Sequence, residues 1–175
     1  GFKKQLIIFK YLGEFNMRKL LLASITSLIF STSAFAEDIK IGIILGFTGP
    51  IESLTPAMAQ GAEAAIAEVS ASGQLLSGST VTAIRADSTC IDSAVASANA
   101  EKLITADKVN GIMGADCSGV TGAILANVAM ANGMVMISPS ATSPALSTAE
   151  DNGLFFRTAP SDARQGQVLA EVTME

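Results

Sequence analysis

Short apolar runs alternate along this chain with longer stretches in which apolar residues recur at helical spacing. This alternation constrains the fold more than any other feature, because it is typical of β-α-β units whose strands pair in parallel. The order of the segments predicts an α/β fold with a doubly wound parallel sheet. The predicted strands lie at 39–45, 80–86, 109–113, 134–137 and 154–157.

Capping signals mark the ends of the predicted helices. Thr55 followed by Pro56 predicts an N-cap with proline at the first helical position. Gly73 predicts the end of that helix, and Asp92 predicts the start of the second. Further helical segments are predicted at 119–131, at 143–149 and from 162 onward.

The N-terminal segment is typical of a targeting sequence. From Met17, two basic residues, an apolar run and Ala34-Phe35-Ala36 follow in the order of a secretory signal peptide. We predict a signal peptide at 17–36, cleaved after Ala36, because its apolar run is shorter than the roughly 20 residues of a bilayer-spanning helix. A membrane anchor is the alternative. Residues 1–16 are interpreted as translation upstream of Met17 or as an extended n-region.

The segment from Glu37 onward is strongly acidic. It contains six Lys or Arg residues against 15 Asp or Glu residues, a net charge of −9. Nucleic acids and anionic membranes are bound through basic surfaces, so neither is an expected partner.

The chain contains two cysteines, Cys90 and Cys117, with 26 residues between them. In a chain that a signal peptide sends to an oxidising compartment, a cysteine pair indicates a disulfide. A zinc site is the alternative, but two thiols and no histidine do not supply the usual four ligands.

Small polar residues follow each of the first four predicted strands. These stretches are Thr48 to Pro50, Asp87 to Cys90, Asp116 to Gly119 and Ser138 to Thr142. Doubly wound sheets bind ligands at the carboxyl ends of their strands, and hydroxyl and backbone N–H groups there suit a polar ligand. The same residue types also serve as ordinary helix N-caps, so both interpretations stay open.

Motifs for catalysis are incomplete. The run from Gly114 to Thr121 has the spacing of a phosphate-binding loop, but Val120 replaces the lysine that the motif needs. No G-x-G-x-x-G run follows the first strand, and the absence of histidine excludes a Ser-His-Asp site within this chain. We therefore expect neither an enzyme nor a cofactor.

Several segments together resemble one known family. The runs are DIKIGIILGFTGPI, Cys90 after the second strand, GADCSGVTGAI, VMISPSATSPAL and FFRTAPSD. They are similar to the leucine/isoleucine/valine-binding family of periplasmic proteins, in the same order and over almost all of the chain from Glu37. The resemblance implies a type I periplasmic-binding fold, in which two α/β lobes enclose a ligand in the cleft between them.

The resemblance also implies a binding site. The residue after the second cysteine and the hydroxyl-bearing stretch after the fourth strand hold the carboxylate and ammonium of an amino acid in that family. In this chain they are Ser118 and the segment Ser140, Ala141 and Thr142. The family's cysteine pair matches Cys90 and Cys117. An aromatic residue often stands against the ligand where this chain has Leu54, which changes the expected side-chain preference.

The function implied is that of an exported, periplasmic substrate-binding protein of an ABC importer. We expect it to bind an amino acid, of the branched-chain type or related, as a monomer, and to deliver it to an ABC permease in the inner membrane. Residues 37–160 would form an incomplete first lobe, and 161–175 would start the second, which would carry the carboxylate for the ligand's ammonium group. The extracellular ligand-sensing domain of a receptor is the alternative, and an enzyme on a similar sheet is a third.

Overall fold

A computed structural model describes residues 37–75 and 78–174 of the 175-residue chain. Five strands form one parallel sheet with the order β2-β1-β3-β4-β5, which confirms the predicted α/β fold. The predicted upstream segment and signal peptide, 1–16 and 17–36, lie outside the described residues. The strands are β1 (Asp38–Leu45), β2 (Thr80–Asp87), β3 (Gly111–Gly114), β4 (Met136–Ser138) and β5 (Phe155–Arg157).

Helices connect the first four strands in chain order. The third helix continues without a break into a π-helical turn at Leu125–Ala129, a change of hydrogen-bond spacing that an apolar periodicity does not reveal. A 3₁₀ turn at Pro144–Ser147 replaces the short helix that the sequence predicts at 143–149. The helices are α1 (Thr55–Ala71), α2 (Ser93–Thr105), α3 (Ser118–Ile124), α4 (Met130–Asn132) and α5 (Asp162–Met174).

The core lies on both faces of the sheet, because successive side chains of a strand point to opposite faces. On one face, Ile44, Ile112 and Met136 are buried against α2 and α3. On the other face, Ile43 and Leu45 are buried against α1. Coverage of that second face is partial in the described part of the chain, since Ile137 and Phe156 are 45% and 54% exposed.

One capping prediction is wrong. Leu54, and not Thr55, is the N-cap of α1, and Thr55 is already helical with Pro56 behind it. The Thr55 hydroxyl is fully buried and donates 3.0 Å to the Gly46 carbonyl oxygen, so it joins the helix to the end of β1 instead of capping it. The prediction for α2 is confirmed, because the Asp92 carboxylate accepts hydrogen bonds from the second and third helical N–H groups.

None of the helices in 37–75 and 78–174 has the length and apolar character needed to cross a membrane.

Candidate ligand site

The strand order places the ends of β1 and β3 side by side at the switch point of the sheet. In the order 2-1-3-4-5 the connections leave β1 and β3 in opposite directions, which opens a crevice outside their carboxyl ends. The loops after β1, β2, β3 and β4 all begin at this edge of the sheet. The polar stretches that the sequence places after each strand are therefore close together.

Asp116 joins three of these loops. Its side chain is 3% exposed and accepts hydrogen bonds from Gly46 N (2.7 Å), Ser88 Oγ (3.1 Å) and Cys117 N (2.9 Å). A buried carboxylate is tolerated when such donors surround it. Asp116 therefore fixes the ends of β1, β2 and β3 relative to one another. It stands two residues before Ser118 in the sequence.

The predicted disulfide is present. Cys90 and Cys117 are bonded, with Cα atoms 5.2 Å apart. The bond links the loop after β2 to the start of α3, and on the loop-entropy model it stabilises the fold by about 3.5 kcal/mol. Within the part of the chain that the structure describes, no group of three or more Cys, Asp or Glu side chains is arranged to hold a metal ion.

Asp87 holds the loop after β1. Partial burial raises the pKa of Asp87, but hydrogen bonds from the Thr48 hydroxyl and from nearby backbone N–H groups outweigh it and hold the pKa below its usual value. Asp87 is thus an ionised acceptor at neutral pH. The loop that borders the crevice at β1 is tied to the end of β2 by this carboxylate.

Ser118 can act towards a ligand only as a hydrogen-bond donor. Its Oγ accepts hydrogen bonds from the backbone N–H groups of Thr142 and Ser143, both at 3.1 Å. A hydroxyl has two acceptor lone pairs and one hydrogen, so these contacts leave the hydrogen to donate. Such a donor suits a carboxylate oxygen.

Ser140 and Thr142 have the opposite character. The Ser140 hydroxyl donates 3.1 Å to the Asp116 carbonyl oxygen, and the Thr142 hydroxyl donates 3.0 Å to Asp162 Oδ2. Both partners are acceptors only, so each hydroxyl hydrogen is committed and the oxygen lone pairs remain to accept. Such acceptors suit an ammonium group.

Ala141 lies buried between these two hydroxyls, and its backbone groups are bonded within the protein. Its N–H donates 2.9 Å to Ser138 Oγ, and its carbonyl accepts 3.2 Å from Arg157 Nη1. The Arg157 guanidinium also donates 2.8 Å to the Ser143 carbonyl. The loop after β4 is therefore held from the β5 side by a cation, and the Ala141 carbonyl keeps one lone pair.

Leu54 is not part of this network. Its side chain is 62% exposed at the start of α1, and its N–H donates to the Ile51 carbonyl oxygen at 2.9 Å. The structure thus brings together Ser118, Ser140, Ala141 and Thr142 but leaves Leu54 in contact with solvent. From the sequence alone, Asp116 is predicted only as part of the polar stretch after β3, and Asp162 and Arg157 have no predicted role at the site. An aspartate near a helix start is typical of ordinary capping, so its sequence position does not reveal such contacts.

Comparison with known proteins gives one family. The model of the family described as periplasmic binding protein matches residues 38–175. The Leu/Ile/Val-binding protein of Escherichia coli K12 is 34% identical over 157 residues, which cover 90% of this chain and 41% of that protein. This chain thus spans about two fifths of the length of such relatives.

Solved structures agree on the fold. A branched-chain amino acid transporter substrate-binding protein from Streptococcus pneumoniae, solved with isoleucine, has a TM-score of 0.64 and 31% identity over 72% of this chain and 35% of its own. A solute-binding protein from Rhodopseudomonas palustris, solved with 4-hydroxybenzoate, has a TM-score of 0.60 and covers 71% of this chain and 32% of its own. At 22% identity, the second protein shows a shared fold alone.

Proposed function

Since this chain belongs to the periplasmic binding protein family, we propose that it supplies the first lobe of a substrate-binding protein of an ABC importer. The proposed ligand is an amino acid of the branched-chain type or a related one, enclosed between this lobe and a second. Leu/Ile/Val-binding proteins and the S. pneumoniae isoleucine complex are similar to it over most of the chain.

The observation that carries this proposal is the opposite hydrogen-bonding character of neighbouring hydroxyls. Ser118 has a hydrogen to donate, whereas Ser140 and Thr142 have lone pairs to offer. An α-amino acid presents a carboxylate and an ammonium group two bonds apart, so it needs donors and acceptors side by side. A carboxylic acid without an ammonium group uses only the donor. A sugar carries hydroxyls that both donate and accept, so it does not need donors and acceptors on separate side chains.

We propose that residues 37–160 belong to the first lobe and that 161–175 begin the second. Support comes from α5, none of whose residues is buried in the described structure. Its Val168, Leu169 and Val172 are 40%, 62% and 65% exposed, which suits a helix that packs against further chain. Leu54, exposed at the rim of the crevice, is proposed to contact the ligand's side chain once the second lobe closes.

The proposed mechanism is binding without chemical change, as the family is one of binding proteins. The loops that Asp116 and the disulfide hold together form a preorganised surface, so little ordering is needed when the ligand arrives. A closed second lobe would exclude water and strengthen the hydrogen bonds to the charged groups of the ligand. No cofactor is needed for this function. The proposed partner for delivery is an ABC permease in the inner membrane. The binding protein would dock on this permease as a monomer.

Export to the periplasm is proposed from the targeting segment at 17–36. In an exporting host, N-terminal sequencing of the mature protein should begin at Glu37. A mature protein that keeps the apolar run would contradict cleavage and indicate a membrane-anchored product.

The ligand class is tested by calorimetric titration of the full-length protein. The panel comprises leucine, isoleucine, a dipeptide, a sugar, a short-chain amide and 4-hydroxybenzoate. We expect a branched-chain amino acid to bind with the highest affinity, because it satisfies both kinds of hydroxyl. Binding of the sugar or of 4-hydroxybenzoate without binding of any amino acid would contradict the proposal.

A further inference from the structure

Asp162 is the first residue of α5, yet its carboxylate does not cap that helix. Ser161 performs the capping, since its Oγ accepts from Ala163 N at 3.3 Å and its carbonyl accepts from Arg164 N at 2.9 Å. The Asp162 carboxylate is turned instead towards the loop after β4. A second role for this carboxylate is therefore needed to explain its orientation.

Asp162 and Thr142 form a reciprocal pair across 20 residues. The Thr142 hydroxyl donates 3.0 Å to Asp162 Oδ2, and Asp162 N donates 2.9 Å to the Thr142 carbonyl oxygen. These two bonds join the ligand-site loop to the helix that leads into the rest of the chain. They also fix both the position and the rotation of the Thr142 hydroxyl.

The pair has an electrostatic consequence. A carboxylate only accepts, so the Thr142 hydrogen points towards Asp162 and the oxygen lone pairs point elsewhere. The negative charge behind the hydroxyl polarises it and makes its oxygen a better acceptor. Among the described residues, the ion pairs are Arg85 with Glu63 and Arg164 with Glu171. Within that part of the chain, Asp162 therefore has no ion-pair partner that neutralises its charge.

We propose that Asp162 is a positioning residue that determines specificity for the ammonium group of the ligand. It orients Thr142 as an acceptor and supplies a negative charge behind it. The first lobe thereby selects an α-amino acid over a carboxylic acid of the same shape. This inference rests on the proposed function, and it adds a charge from this chain to the carboxylate that the family resemblance implies for the second lobe.

The test separates an ammonium-specific role from a merely structural one. Asp162→Asn keeps an oxygen that can accept from Thr142 but removes the charge, whereas Asp162→Ala removes both. Affinities for leucine and for 4-methylpentanoate, which is leucine without its ammonium group, are measured in the full-length protein by titration and by competition at high concentration. Glu150→Gln, which removes an exposed charge outside the network, is the matched control.

We expect Asp162→Ala to weaken leucine binding about tenfold or more and Asp162→Asn to weaken it by a smaller factor. Binding of 4-methylpentanoate should change by less than about twofold, since that ligand makes no ammonium contact. In a Thr142→Val background the effect of Asp162→Ala on leucine should largely disappear, because the two residues act through one hydroxyl.

Equal weakening of both ligands, unchanged leucine binding, or an undiminished effect in the Thr142→Val background would each overturn this inference while the proposed function stands. A wild-type protein that binds no amino acid would overturn both. Thermal unfolding of each variant without ligand shows whether a loss of affinity comes from a loss of fold, and a matching drop in melting temperature counts against the inference.

Discussion

Replacing Ser118 by alanine in the full-length protein is expected to weaken amino-acid binding by about hundredfold or more. The substitution removes a donor to a charged ligand group, which contributes about 1.5 to 3 kcal/mol. It also removes the acceptor of two backbone N–H groups, those of Thr142 and Ser143. The loop that carries the ammonium acceptor then loses these two hydrogen bonds to α3, so both halves of the site are affected.

Titration calorimetry checks this prediction against Ser93→Ala as the matched control. Ser93 opens α2 as Ser118 opens α3, but it is exposed and lies outside the ligand-site network. The control should bind as tightly as the wild type. An unchanged affinity in Ser118→Ala would contradict the assignment of the site even if the amino acid itself binds.

Replacing Gly114 by alanine is expected to destabilise the protein by at least about 4 kcal/mol. Gly114 ends β3 with φ +130°, a conformation that residues with a Cβ rarely adopt. An added Cβ would overlap the carbonyl oxygen of Ile44 and lie 2.8 Å from Ile44 Cγ2. Because Ile44 is in β1, an inner strand hydrogen-bonded to β2 and β3, relief of that overlap requires the sheet itself to shift.

Urea unfolding of the full-length protein measures the effect, and Gly61→Ala is the control. Gly61 lies within α1, and apart from its chain neighbours and its own helical backbone no atom lies within 4 Å of an added Cβ. There alanine should stabilise the helix by roughly 0.5 to 1 kcal/mol. Equal unfolding midpoints for Gly114→Ala and the wild type would contradict the described end of β3.

The sheet is predictable from the sequence because its strands are short buried runs and its helices carry apolar faces. The first residue of a strand is less predictable where a helix ends shortly before it. The sequence predicts that β3 begins at 109, but Val109 N donates to the Leu103 carbonyl oxygen in the turn that ends α2, so the strand begins at Gly111. Val109 is buried in either case, and an apolar pattern records only burial.

Hydroxyl residues of the site are predictable in position but not in hydrogen-bonding character. Ser118, Ser140 and Thr142 follow strands, which the sequence reveals. Whether each hydroxyl donates or accepts depends on partners distant in sequence, such as Asp162 for Thr142 and the Asp116 carbonyl for Ser140. The family resemblance identifies these residues, but their hydrogen-bond directions follow only from the structure.

The contacts of the aspartates are even less predictable from the sequence. Asp116 binds Gly46 N across 70 residues, and no local pattern predicts that contact. Next to a helix start, an aspartate is among the preferred caps, and Asp92 does act in this way. Asp116 and Asp162 also stand within two residues of a helix start, but their carboxylates bind other loops.

The most direct test is a crystal structure of the full-length protein with bound leucine. The predicted result places a ligand carboxylate oxygen within about 3 Å of Ser118 Oγ and the ligand ammonium nitrogen within about 3 Å of Thr142 Oγ1. A ligand bound away from the ends of β3 and β4, or bound with its ammonium group at Ser118, would contradict the account.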